Sequence, residues 1–504
     1  MNPRQPVIVG VGQITNRPKS PQKLVTPMEL MEWAARAALG DTGAANLHRK
    51  IDTVFVVNII SWTYSNPPGE LARRLEAEPK LTGYTAIGGN SPQWLMNKAC
   101  SLISNGNSDV VLIAGAEAFA SGAQARNFGV KLDRGDRSSQ PETIGDARPG
   151  LSPEEMSMQL VTPGQIYPIL ENAFRASLGR PIDAHQKELG RLFESFNEVA
   201  RSNPLAWFSE PRTAEEIEKP SINNRVTAFP YTKYMNAVIK VDQAAALVVT
   251  SVEAAEACRI PKDKWVFPVA GADLNDVWFF SRRPDIARSP AIRECGKTVF
   301  EAAGAGPDDI EFVDLYSCFP VAVEIASLEL GLTASSDRPL TLTGGLPYFG
   351  GPGNNYTSHA IAHAVERLRQ SETALALCTG LGWFVTKHSL GIYSARPPQN
   401  LFIHPDLSRH QQRIDSTEIP WIAGEERVEG KIIGYTVLYD RASNPERAPA
   451  IIETLEEQPR RALADIPLEY IEDPWSQEMV GVIGVLDPVA KPRPQFVPGD
   501  TGVT

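Results

Sequence analysis

The sequence has 504 residues, with 49 Lys and Arg against 60 Asp and Glu, a formal charge of −11. That length predicts two or three packed units, and 42% hydrophobic with 22% charged residues is the composition of a globular chain with a large core. The acidic balance argues against nucleic acid or anionic membrane as partners, and no apolar run nears the roughly 20 residues of a membrane span.

The N-terminus reaches an apolar strand within a few residues and shows no secretory pattern, so the expected location is cytoplasmic. The cysteines, Cys100, Cys258, Cys295, Cys318 and Cys378, are odd in number and lack CxxC spacing. Neither a disulfide framework nor a cysteine-built metal site is expected, and the metal assignment is none.

The first predicted strand is Val7 to Gly12; a dinucleotide fingerprint fails there, because Thr15 stands where a glycine is needed. Thr26 and Pro27 open a helix that ends at Gly40. Ile51 to Ile60 reads as a buried strand, Ser91-Pro92 opens a second helix, and Asp109 to Ala114 is the following strand, closed by Gly115-Ala116-Glu117. Residues 120–235 are less periodic and read as a long excursion with helices such as Lys187 to Ala200. The α/β pattern restarts with the strand Val241 to Ser251 and the helix Pro290 to Gly304. Glu311 to Tyr316 is a strand, Phe319 to Gly331 a helix, and a glycine-rich loop from Gly344 to Gly353 precedes the helix Thr357 to Arg369. Thr373 to Cys378 is a strand, followed by the turn Thr379-Gly380-Leu381-Gly382. Beyond Pro398, short alternating strands predict a small β domain, OB-like, and the tail from Pro488 reads as poorly ordered.

Three segments carry a family likeness. They are Gly88 to Glu117, the run Val313-Asp314-Leu315-Tyr316-Ser317-Cys318-Phe319, and the pair Gly350-Gly351-Pro352 with Cys378-Thr379-Gly380-Leu381-Gly382. In this order they resemble the thiolase superfamily: its nucleophile helix, its Asn/His-Glu/Asp-Ala/Cys-Phe stretch, and its Gly-His-Pro and Cys-x-Gly-x-Gly loops. The likeness implies a five-layer αβαβα core of two similar halves, here 1–240 with the excursion and 241–396, then an additional β domain at 397–490 and a tail at 491–504. It is strongest to bacterial thiolase-like proteins labelled acetyl-CoA acetyltransferases, and it implies acyl-CoA or CoA as partner, no other cofactor, a place in lipid acyl-chain metabolism, and a monomer or homodimer.

The chemistry such a fold implies is acyl transfer through a low-pKa thiolate, with a second cysteine moving the α-proton and donors holding the oxyanions. This chain departs from the pattern at Gly89, in the nucleophile's place, and at Gly351, in the place of the Gly-His-Pro histidine. Cys100 lies too far along its helix to serve at the N-terminus, and His359 and His363 read as helix histidines. Cys378 matches the acid/base cysteine, with Gly380 retained after it, and Cys318 and Phe319 match the pocket wall. Tyr316 replaces the residue that fixes an oxyanion water, as in thiolase-like steroid side-chain aldolases; Tyr348 and Tyr356 are candidates for a second phenol. Asn236-Ala237-Val238-Ile239 corresponds to the pantetheine loop, with Arg225 and Lys233 as nearby basic residues. Three functions follow: an acyltransferase of altered chemistry at Cys378 and Tyr316, a retro-aldol lyase on a β-hydroxyacyl-CoA using Tyr316, or a CoA-binding protein without catalysis.

Overall fold

The structure, a computed structural model, describes residues 1–133, 135–333, 338–422, 427–490 and 492–499. Two sheets form the frame. The first has the order Pro6–Thr15, Asp242–Ser251, Val110–Ala118, Thr53–Val56, Leu81–Tyr84, parallel over its last three strands and antiparallel at the first two junctions. The second runs Phe267–Asn275, Lys387–Ser394, Leu375–Gly382, Phe312–Asp314, with its one parallel pair at the last junction.

Strand alternation decides which helices each face receives. In Val110–Ala118, Val111 and Ile113 point inward to the helices Ser91–Ser104 and Tyr356–Leu368, which also meet Ala376, Cys378 and Tyr393 of the second sheet. Leu112 and Ala114 point outward to Pro27–Asp41, whose Met28, Leu30, Met31 and Ala34 form its buried stripe. Pro290–Ala303 and Pro320–Leu330 cover the far face of the second sheet. The result is five layers, α, β, α, β, α. Thr26 caps Pro27–Asp41 through the reciprocal bonds with Glu29 that its Thr-Pro-Met-Glu start encodes.

The strand Asp242–Ser251 lies between Pro6–Thr15 and Val110–Ala118. It therefore completes the first sheet, whereas the sequence reading opens the second half with it. An apolar strand buried on both faces carries no mark of which sheet it joins. The excursion, with helices Pro163–Ser177 and Ile182–Ser202, packs Tyr167, Phe193 and Phe196 into the core of the second half. One of its residues, Ile144, also covers the edge of the first sheet. It donates to the Tyr84 carbonyl at 2.7 Å and accepts from Ala86 N at 2.9 Å.

The last described region is a closed five-stranded barrel, ordered Val428–Tyr435, Pro449–Thr454, Arg461–Asp465, Gln495–Pro498, Ile483–Asp487. Its fifth strand in chain order lies in the stretch read from sequence as a tail. Gln495–Pro498 pairs antiparallel with Ile483–Asp487, meets Asp465 on its other side and buries Phe496, so a short apolar run between prolines closes the barrel. Residues 491 and 500–504 of that tail lie outside the described residues.

The barrel is fastened to the layered core by polar contacts. Thr436 Oγ1 donates to the Phe229 carbonyl at 2.7 Å, and Asn172 Nδ2 to the Tyr435 carbonyl at 2.9 Å. Buried Arg461 pairs with Glu453 and donates to the carbonyls of Arg283 and Pro284 at 3.1 and 3.0 Å. Arg461→Leu leaves those carbonyls unpaired, so urea unfolding is expected to show a loss of about 2–3 kcal/mol.

Candidate active site

The segments singled out in the sequence meet at one place. Gly88-Gly89-Asn90 is the turn that opens the helix Ser91–Ser104, and its Gly88 N–H donates to Asn354 Oδ1 at 3.0 Å. Tyr316 N–H donates to Thr379 Oγ1 at 2.8 Å. Thr357 Oγ1 reaches the carbonyls of Gly89 and Thr379 at 3.4 and 3.3 Å. The 236–238 segment runs alongside, with Ala237 N–H on the Cys318 carbonyl at 3.1 Å and the Val238 carbonyl accepting from Gly351 N at 2.8 Å.

The decisive feature is steric. A Cβ on Gly89 would stand 2.2 Å from Tyr316 Oη and 2.4 Å from the Leu381 carbonyl oxygen. The phenol occupies the space that a cysteine at this position needs for its own first carbon. Glycine at 89 and tyrosine at 316 are therefore sterically linked. Gly380 is equally committed, since its Cβ would lie 2.8 Å from Asn90 Cα. Gly351 is not: the nearest atoms to a Cβ there are at 3.4 and 3.5 Å, ordinary contact distances.

Tyr316 is buried, its ring set edge-on to Tyr356 with centroids 5.5 Å apart. Burial pushes its phenol well above the usual range, so the group is a neutral hydrogen-bond donor. Tyr356 is already bonded, through Oη, to Thr343 Oγ1 at 2.6 Å and to Asp314 Oδ1 at 3.2 Å. Tyr348 stands apart, packed on Phe193. Phe319 lies in an aromatic stack between Tyr167 at 4.6 Å and Tyr231 at 5.7 Å. Cys318 is beside it, and burial pushes its thiol up to about 12.

Cys378 does not reach this constellation as an activated thiol. It lies fully buried in the apolar layer with Cys100, Ile361 and Val365, and desolvation drives its thiol well above the usual range. The turn glycines that place a reactive cysteine in the family are present, but the side chain faces the helix layer. Cys100 and His359 are core residues as well; burial lowers the His359 imidazole to about 3. Arg225 spends its guanidinium on the Val226 carbonyl, and four glycines of the 344–353 loop are needed for positive φ, which accounts for their number without a phosphate.

Several residues of consequence carried no sequence signal. Asn354, which holds the Gly88 turn, is one. Lys387 is another: its side chain lies against Gly88 and Gly382, where a Cβ would meet its Cε at 2.7 and 2.9 Å. A third is the buried group Glu171, His185 and Glu324, whose ligand atoms lie within 4.8 Å of one another, a spacing that fits a metal ion. Its hydrogen bonds favour another role. Arg180, which can only donate, faces His185 Nδ1 at 3.0 Å, so the proton of the neutral ring sits on Nε2 and points at Glu171 Oε1, 2.7 Å away. A metal on Nε2 would need the lone pair that this arrangement removes. Burial also raises both carboxyls, and the cluster holds a proton.

No family model matches the chain. A monomeric SCP2-thiolase-like protein type 1 from Mycobacterium smegmatis is similar over 99% of this chain and 100% of that one, at 32% identity and a TM-score of 0.83. The benzoylsuccinyl-CoA thiolase subunit BbsB of Thauera aromatica is 31% identical over 152 residues. That match spans 30% of this chain and 37% of the relative's length. The Ltp2-ChsH2(DUF35) aldolase shares the fold at 19% identity and a TM-score of 0.60, covering 79% of this chain and 99% of that one.

Two outcomes are expected. Gly89→Ala should cost about 1–3 kcal/mol in denaturant unfolding, while Gly351→Ala costs less than about 1 kcal/mol. The second concerns pH. Burial raises Asp314 to about 6 from 3.8 and Glu117 to about 7 from 4.5, so between those values the native chain keeps protons that the unfolded chain has released. Their contribution is complete below the unfolded values and drains away as pH rises through the folded ones. The melting temperature should therefore fall from pH 5 to pH 8, and Asp314→Asn should reduce the stability lost over that range by about 1.4 kcal/mol.

Proposed function

Because this chain belongs to the thiolase superfamily, we propose that it binds a CoA thioester beside Tyr316 and Phe319 and acts on it through a phenol instead of a thiolate. The observation that carries this reading is the position of Tyr316 Oη, 2.2 Å from where the first side-chain carbon of residue 89 would be. Acyl transfer through sulfur needs a thiolate at that point, and both family-matched thiols, Cys318 beside Phe319 and Cys378 in the helix layer, are held protonated by burial. The favoured reaction is carbon–carbon cleavage of a β-hydroxyacyl-CoA. The Cα–Cβ bond breaks, the β-carbon becomes an aldehyde or ketone, and the enolate of the shortened thioester takes a proton at Cα from Tyr316. The proton released by the β-hydroxyl balances the one that Cα gains, so the phenol is restored. A neutral, desolvated phenol suits the donor role.

A second reading, an acyl-CoA binder without turnover, is favoured by a separate observation. Among the described residues no side chain is hydrogen-bonded to Tyr316 Oη, so no base stands ready to recharge it. The finer expectations stay with this proposal: a place in lipid acyl-chain metabolism, a cytoplasmic location, and an OB-like barrel, supported by a strand order in which the first and third strands in sequence join the fourth and fifth. A monomer is supported by the name of the Mycobacterium smegmatis relative.

Calorimetry with CoA and a panel of acyl-CoA esters should detect binding, and acetoacetyl-CoA should not undergo thiolysis. Aldehyde or ketone release from a β-hydroxyacyl-CoA, lowered about 100-fold in Tyr316→Phe with binding intact, identifies the lyase. Binding without release identifies the second reading, and thiolysis at ordinary thiolase rates would refute both.

A further inference from the structure

Lys387 begins the strand Lys387–Ser394 and is paired across it with Gly382. The chain makes room for it: side chains at Gly88 and Gly382 are both excluded by its Cε, as given above. Its ammonium touches carbonyl oxygens, Ile87 at 2.6 Å and Asp146 at 3.4 Å, and no carboxylate of the described residues lies within ion-pair reach of it. A cavity of about 130 Å³ opens on it, walled by Thr85, Trp94, Ile144, Asp146, Asn90 and His388.

The charged groups around this cavity are spoken for. Asp146 is paired with Arg148 at 2.6 Å, Asp273 with His404 at 2.7 Å, and His388 Nε2 lies 3.0 Å from Asp276. Within the wall, Asn90 Oδ1 is buried with no hydrogen-bond partner. A lysine stripped of water and of a counter-ion, with a positive guanidinium nearby, is a nucleophile held in waiting.

We propose that Lys387 captures a small aldehyde or ketone in this cavity as an imine. The amine nitrogen attacks the carbonyl carbon, a proton moves to the oxygen to give the carbinolamine, and water leaves as the carbon–nitrogen double bond forms. Carbonyl plus primary amine gives imine plus water, with no change of oxidation state. The volume equals about four waters' share of the liquid, which limits the occupant to a few carbons and excludes CoA. Asn90 Oδ1 is an acceptor with no other duty, placed for the carbinolamine hydroxyl. Burial lowers the amine to about 8, against opposing attraction from Asp146, so near neutral pH a far larger share of it is uncharged than of an exposed lysine.

The test uses the full-length protein and no CoA ligand, so its result does not depend on the acyl-CoA reading. The protein is treated with butanal and sodium cyanoborohydride at pH 7 and mapped by peptide mass spectrometry. The expected result is saturable butylation of Lys387, at least about tenfold faster than that of the exposed Lys187 and Lys262 in the same sample. In the same protein unfolded in guanidinium chloride the preference should vanish, because the cavity and the desolvation of the amine exist only in the fold. Equal rates at Lys387 and the exposed lysines in the folded protein, or a preference for Lys387 that persists in the unfolded chain, would overturn the proposal.

Discussion

Two groups cannot share the space at the start of the helix Ser91–Ser104. The Tyr316 phenol has it, and so residue 89 is a glycine. The exclusion fixes more than one side chain. Tyr316 is held there by the Thr379 hydroxyl on its backbone N–H, and Leu381 presents its carbonyl from the other side. Placing a side chain at residue 89 would require the phenol to leave and the 379–382 turn to shift, because one of the two obstructing atoms is backbone. Packing therefore excludes any side chain at Gly89, whereas the roomier Gly351 has space for one.

Around this point the chain buries ionisable groups without salt-bridge partners. Lys387, Asp314 and Glu117 each sit near the end of a strand, where a segment of another element closes on them. Each is satisfied by hydrogen bonds: Glu117 accepts from the backbone of Ile60 and Ser61 at 2.7 and 2.8 Å, and Asp314 from Leu342 N at 2.8 Å. Desolvation then moves their protonation toward the neutral form. Such groups stitch loops together firmly while leaving the interior with little net charge.

Much of the fold was legible in the order of motifs. Apolar runs and capping residues give the strands and helices of the two halves, and the spacing of Gly88 to Glu117, Tyr316 to Phe319 and Cys378 to Gly382 brings the correct loops together. What periodicity does not carry is sheet membership, as Asp242–Ser251 illustrates, or closure of a barrel by a proline-flanked strand such as Gln495–Pro498. At the site, the sequence placed Gly89 and Tyr316 but gave no hint that they touch, since that contact spans 227 positions between residues 89 and 316. Cys378, matched by its motif, is buried in the apolar layer, an environment the motif itself does not encode. Asn354, Lys387 and His185 bear no motif, and their importance comes from neighbours far away in the chain.

The pairing of Ile144 with Tyr84 and Ala86 has one more consequence. A bare sheet margin is a template, and a protein that pairs with its twin through one must keep that surface self-complementary. Here part of the margin is taken up by the same polypeptide, and Gly83 leaves just the clearance that the Ile144 side chain fills. The same stretch of chain also walls the Lys387 cavity, so covering the sheet margin and shaping that cavity are one structural act.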